Sequence, residues 1–315
     1  MRFRKGKSLV KKSFKYSRLR EQLPLFCMLL PGFIALALFV YVPLRGWAMA
    51  FWKYTPGKGY FSGAFKGLDY FKMFFTTMND AGAVALNTLA INFVTIVINL
   101  TMALLLALLL NEMRSRRWKK AMQTLSFFPY FVSWSITYSI FYAFLAAENG
   151  VINQVLVKLG VVSKGIDFLG SRNYAWQMIW LSNLWHYVGY NSIIFLSGIA
   201  SIDPEMYETS EIDGASRLGR MWYITLPNLT KTLVMLLILN SGSVFNSSFD
   251  QFYMFSNVGN MTSLEVFDMY IYRYGMKQGN FSYATAVGIV KTAASILMLV
   301  TVNAAAKKLS DPSLF

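Results

Sequence analysis

Acidic residues are scarce in this chain: 15 Asp and Glu stand against 30 Lys and Arg, and only 14% of its 315 residues are charged. Soluble domains carry about 25% charged residues. With 55% of the residues hydrophobic and a mean hydropathy of +0.41, a globule in water would be left with large apolar patches. The same shortage of polar residues excludes disorder. Cysteine is nearly absent: Cys27 stands alone in an apolar run, which excludes an intramolecular disulfide and a cysteine metal cluster. His186 is the only histidine. One imidazole builds no metal site and completes no catalytic triad, so it is expected to hydrogen-bond within a helix bundle. No Gly-x-x-x-x-Gly-Lys-Ser/Thr phosphate loop occurs, and no period of 20–50 residues repeats. These shortages describe an integral membrane protein.

What is present is a set of long apolar runs. No Asp, Glu, Lys or Arg occurs in 22–44, 81–111, 121–147, 173–202 or 232–249, and 278–306 is interrupted only by Lys291. A charge at mid-bilayer costs roughly 2.5–3.5 kcal/mol, and a helix needs about 20 residues to cross. The runs predict an all-α protein with six transmembrane helices near 25–45, 86–110, 122–146, 176–200, 232–255 and 284–305. The fifth reaches its length by continuing through Asp250. Nine basic residues fall in the first twenty, and five in the loop 112–120. With those in 203–231 and the C-terminal tail they outnumber the basic residues of 45–80, 148–172 and 256–277. The positive-inside rule therefore places both termini in the cytoplasm. The expected organisation is a basic cytoplasmic tail (1–24), a six-span domain (25–306) and a short cytoplasmic tail (307–315). The basic tail reads as topology and anionic-lipid attraction rather than nucleic-acid binding.

Between the fourth and fifth spans lies 203–231. Asp203 suits an N-cap and Pro204 the first helical position. Glu205 and Glu208 favour a helix N-terminus, and Gly214 supplies a positive-φ stop. A second amphipathic stretch follows, with Leu218, Met221, Trp222 and Ile224 on one side and Arg217 and Arg220 on the other, ended by Pro227. Two short helices bent at a glycine form either a knob for a partner's groove or an interfacial hairpin lying on lipid.

Glu208, Gly214, Ile224, Leu226 and Pro227 stand in the order and spacing of the cytoplasmic EAA signature (Glu-Ala-Ala, three residues, Gly, nine residues, Ile, any residue, Leu-Pro), and the chain resembles the membrane subunits of type I ABC importers. Thr209 and Ser210 replace the two alanines with other small residues. Ile212-Asp213-Gly214-Ala215-Ser216 resembles the carbohydrate-importing branch. The entry Leu29-Leu30-Pro31-Gly32 with Tyr41-Val42-Pro43 shares the family resemblance, and Ala50–Pro56 with Gly67–Phe71 is similar to the polygalacturonan and aldouronate oligosaccharide permeases. The resemblance implies the MetI-like permease fold in a bacterial cytoplasmic membrane and transport rather than enzymatic activity. It also implies a coupling helix, with Glu208, Thr209, Ser210, Asp213, Gly214, Ile224, Leu226 and Pro227 at its ATPase contact. Implied partners are a second, related permease subunit in a heterodimer, two cytoplasmic ATPase subunits, an extracytoplasmic solute-binding protein facing 45–80 and 256–277, and a carbohydrate, with no cofactor.

Polar groups inside spans are costly and become functional candidates. Trp185, His186, Tyr190 and Asn191 on the fourth span, and Asn246, Ser247, Ser248, Asp250 and Gln251 on the fifth, suit a sugar. Its ring faces stack on aromatics and its hydroxyls need donors and acceptors. The other reading of these residues is close helix packing. Counting depth along two continuous spans pairs Asp250 with Lys291, unless Lys291 snorkels outward. The rival classes are an ion-coupled secondary transporter, which should show two related halves, and a membrane-embedded enzyme, which needs paired acids or a metal cluster. Neither feature is visible.

Overall fold

The computed structural model describes residues 22–77 and 80–309. Most of the basic tail 1–24 and the end of the tail 307–315 lie outside the described residues. The chain divides into two compact units at Leu68/Asp69.

In the first unit, Gln22–Ala50 is one apolar helix of 29 residues, α1. It widens to π geometry over Ala37–Tyr41 and tightens to 3-10 over Val42–Ala50, with Pro43 in the first turn of the tight segment. Proline lacks an N–H and is tolerated there. Beyond α1, Trp52 and Phe65 form an isolated antiparallel bridge. The Trp52 ring meets Phe61 and Phe65 edge-on at 5.0 and 4.8 Å.

Every regular element among the described residues of the second unit is a helix. Its spine is α2 (Ala81–Asn111) packed along α6 (Ala175–Ala200). Between them run α3 (Arg116–Phe127), α4 (Trp134–Leu145) and α5 (Val151–Lys158). Then come α7 (Pro204–Ile212), α8 (Arg217–Arg220), α9 (Leu226–Ser241), α10 (Phe249–Phe255), α11 (Phe267–Tyr272) and α12 (Phe281–Leu309). One core gathers Ile91, Trp134, Ile179 and Phe252, a second Phe74, Phe245, Tyr270 and Tyr283, and a third Leu100, Phe195 and Leu229. Gly189 is where α6 touches the end of α3: a Cβ there would lie 1.9 Å from the Ser126 carbonyl oxygen. Only glycine permits that approach.

Among the described residues, four helices are long and apolar enough to cross a membrane: Gln22–Ala50, Ala81–Asn111, Arg217–Ser241 and Phe281–Lys308. Two expected spans differ from continuous helices. The third is split: α3 ends at a 3-10 turn, Phe128–Phe131, carrying Pro129, and α4 restarts with Ser133 Oγ accepting from Ile136 N. Proline removes a helical hydrogen bond and clashes with the preceding turn. The fifth, expected over 232–255, starts earlier and stops earlier. Pro227 does not end the amphipathic stretch. A π turn over Met221–Thr225 carries the helix into α9, with Pro227 in the first turn of α9, and Asn228 Nδ2 donates to the Ile224 carbonyl at 2.7 Å.

The helix then breaks after Ser241. Here Asn240, Ser241 and Ser243 side chains donate to the carbonyls of Leu236, Ile238 and Asn240, competing with the backbone ladder. Backbone groups freed inside a membrane protein must find partners. Asn92 Nδ2 donates to the Val244 carbonyl at 2.8 Å, and Ser247 N donates to Asp268 Oδ2 at 2.9 Å. The fourth expected span is the continuous helix α6, 26 residues long, less apolar than the four because Trp, Tyr, His, Asn and Gln recur along it.

Candidate functional site

Two features of the second unit carry chemistry. The first is the bent element 203–231. Asp203 caps α7, its Oδ1 accepting from Glu205 N at 3.0 Å, with Pro204 in the first turn. Gly214 holds φ +76, a conformation glycine adopts without strain. Ser216 Oγ accepts from Gly219 N and caps α8. The bend is braced by a Glu211–Arg220 ion pair and by the Tyr207 hydroxyl sharing a 2.9 Å hydrogen bond with Thr225 Oγ1. Arg217 reaches Glu112 at the end of α2, 2.7 Å to the carboxylate and 2.6 Å to the carbonyl. The basic loop 112–120 and the bent element therefore share one end of the bundle. Beside them a cavity of about 610 Å³ is lined by Lys119, Gln123, Tyr207, Glu208 and Glu211 among others. Glu208, Thr209, Asp213, Gly214 and Pro227 are exposed, while Ser210, Ile224 and Leu226 are half-buried. Around them, large apolar side chains face outward: Ile212 is 87% exposed, Leu218 67%, Trp222 60% and Tyr223 85%.

The second feature is a polar cleft where α2, α6, α9 and α10 meet. Two cavities of about 270 and about 170 Å³ share Thr95, Ile96, Asn183 and Asn240 in their walls. Tyr190 and Asn191 line the first; Asn246, Ser248 and Gln251 line the second. Tyr130 stacks on Tyr190 with ring centroids 4.2 Å apart and 10° between planes, giving the first cavity an aromatic shelf. A run of amides crosses the wall. Asn99 Nδ2 donates to Asn183 Oδ1 at 2.8 Å, and Asn183 Nδ2 donates to Gln251 Oε1 at 2.9 Å. Gln251 Nε2 donates to the Ile179 carbonyl at 2.8 Å and to Ser182 Oγ at 3.0 Å.

Several expected residues lie elsewhere. Ser247 is used at the helix break, accepting from Asn92 Nδ2 at 2.9 Å. Trp185 packs edge-on to Phe141. His186 is buried and stacks on Trp134 at 4.4 Å, but its Nδ1 has no hydrogen-bond partner among the described residues. The ring is an aromatic packing group there, not the hydrogen-bonding bundle member that was expected. Asp250 is exposed in the first turn of α10 and is not the partner of Lys291. Lys291 Nζ lies 2.5 Å from Asp268 Oδ1, and that carboxylate's other oxygen accepts from Ser247 N. Depth counted along an unbroken fifth helix misplaces Asp250, because the break redirects the chain. Missing from the sequence reading were Asn92, Thr95 and Asn99 of α2, Tyr130 and Asn183. For Asn92 and Asn99 the signal was present as amides set into the 31-residue apolar helix α2, where a polar side chain needs a reason.

A family model described as "Binding-protein-dependent transport system inner membrane component" matches residues 99–311, taking in the bent element and most of the cleft. The chain belongs to this family. It is 38% identical to Protein LplB of Bacillus subtilis (strain 168), over 92% of this chain and 91% of that one. It is 37% identical to the polygalacturonan/rhamnogalacturonan transport system permease protein YteP of the same organism, over 95% and 92%. Among solved structures it resembles a bacterial ABC transporter involved in import of the acidic polysaccharide alginate (29% identity, TM-score 0.83, 94% of this chain and 99% of that chain). A second is the alginate transporter in complex with an alginate pentasaccharide-bound periplasmic protein (28%, 0.84, 95% and 99%). This inner membrane component therefore has the MetI-like fold of importer permeases, spans the membrane several times, and is a transport subunit rather than an enzyme or a self-standing secondary transporter.

Proposed function

We propose that this permease subunit carries a carbohydrate, and an oligosaccharide in particular, across the cytoplasmic membrane on energy supplied by separate ATPase chains. Support for the sugar comes from the names of its relatives and from the cleft, where amides and hydroxyls stand beside the stacked Tyr130 and Tyr190 rings. Each cavity is below the roughly 300–1,000 Å³ of a drug-sized ligand site, which fits a route completed by a second, related permease. Six spans follow if the broken pairs α3–α4 and α9–α10 each cross once, beside α1, α2, α6 and α12. Both termini are then cytoplasmic. A solute-binding protein delivers the sugar at the opposite face, to 45–80 and 256–277.

The observation that carries the proposal is the surface of the bent element. Its exposed Ile212, Leu218, Trp222 and Tyr223 call for a cover. The exposed Asp203, Glu205, Glu208 and Asp213 of the same element are repelled by an anionic leaflet. A protein groove suits both properties better than lipid does. With Glu208 seated on a basic residue of the ATPase, closure of the nucleotide-bound ATPases draws the bent elements together and tilts the helices so that the cleft opens outward; hydrolysis resets it. Glu208→Lys is expected to abolish co-purification of the ATPase or its stimulation by sugar, with the chain still in the membrane fraction. Unchanged association and coupling would exclude this docking.

A further inference from the structure

Five of the cleft's amides, Asn92, Asn99, Asn183, Asn240 and Gln251, already commit hydrogens within the protein. Asn99 spends both Nδ2 hydrogens, on the Thr95 carbonyl at 3.0 Å and on Asn183. Asn92 spends both on the Val244 carbonyl and Ser247 Oγ, and Gln251 both on Ile179 and Ser182. Asn183 and Asn240 each commit one, to Gln251 and to the Leu236 carbonyl. Thr95 and Ser243 hydroxyls donate to the Ile91 and Asn240 carbonyls. These seven residues have thus turned most of their hydrogens inward. Asn99 Oδ1, buried in the same wall, takes no hydrogen bond from the described residues.

Charge points the same way. No lysine or arginine lines either cavity, and Lys291 is held by Asp268. A hydroxyl both donates and accepts, whereas an ionised carboxylate only accepts. Moved out of water with no cation on this wall beside it, a carboxylate loses hydration that neutral donors repay only in part. The remaining donors, Asn191, Asn246, Ser248 and the tyrosine hydroxyls, are neutral and make weaker bonds to an anion than a charged group does.

Resting on the carbohydrate reading, we propose that this chain's wall of the route favours uncharged, hydroxyl-rich glycosyl units over hexuronates. In this it parts from what the names of its polygalacturonan- and alginate-linked relatives suggest. The test uses the assembled importer with its own solute-binding protein in lipid nanodiscs. Oligosaccharide pairs that differ only in a C6 carboxylate or a C6 hydroxymethyl group, such as tri-galacturonate and galactotriose, are compared by ATPase stimulation at equal occupancy of the binding protein. The uncharged member is expected to stimulate about tenfold more, the equivalent of one hydrogen bond to a neutral group. Asn240→Lys brings a cation to a residue common to both cavities without cutting the amide run, and should raise the acid member's relative rate about tenfold. Asn240→Leu should not. Equal or greater stimulation by the acid in the wild type, or an unchanged ratio in Asn240→Lys, overturns the inference and leaves the carbohydrate reading standing. If no carbohydrate pair stimulates the importer, the carbohydrate reading falls and this inference with it.

Discussion

Asp268 performs two tasks with one carboxylate, holding Lys291 with one oxygen and the freed Ser247 N–H with the other. Both side chains are largely shielded, at 13% and 21% exposed. Removing one partner of such a pair leaves an uncompensated charge, at a cost of about 3 kcal/mol. Lys291→Met should therefore lower the thermal unfolding midpoint sharply, and adding Asp268→Asn should recover part of the loss. Asp250→Asn should add to Lys291→Met independently; a coupling energy at Asp250 equal to that at Asp268 would contradict the structure. Gly189 gives a second test. Its alanine variant pushes a methyl into the Ser126 carbonyl and should cost about 1–3 kcal/mol, read as a lower unfolding midpoint in detergent, whereas Gly32→Ala, with open space around it, should not.

Individual elements were legible in the sequence where their signals are local. Asp203, Pro204 and Gly214 each announce a cap, a first turn or a stop within a few residues, and the bent element follows them. The broken fifth helix was not legible as a break. Asn240, Ser241, Ser243 and Asn246 read equally well as polar positions on a continuous span, and what decides the matter is Asn92 on α2 and Asp268 on α11 reaching across to satisfy the freed backbone. Asn99 and Asn183 stayed hidden for the same reason: they lie far in the chain from each other and from Gln251, which the sequence did offer, and only packing joins the three. The break gives a prediction of its own. Asn92→Leu strips the Val244 carbonyl of its donor and should cost about 1–3 kcal/mol, with uptake falling further than stability alone explains, because Asn92 also lines the second cavity. Wild-type uptake in that variant would mean the break needs no such brace.

At the scale of the whole molecule, composition was enough to place the chain in a membrane, while the count of crossings rests on whether split helices traverse it. Sidedness supplies the measurement. In a Cys27→Ser background, which leaves no other cysteine, a cysteine at Leu218 should react with an impermeant maleimide only from the cytoplasmic side. One at Ser62 should react only from outside. Both positions are exposed. Labelling of both from one side would refute the six-span topology.

The outward-facing Ile212, Leu218, Trp222 and Tyr223 also bear on how a cell must make this subunit. Synthesised in excess of the ATPase proposed to cap it, the permease would present greasy side chains to chaperones, proteases and its own neighbours. Steady abundance should therefore track the supply of its motor, and overproduction alone should yield aggregates that co-expression of the ATPase relieves.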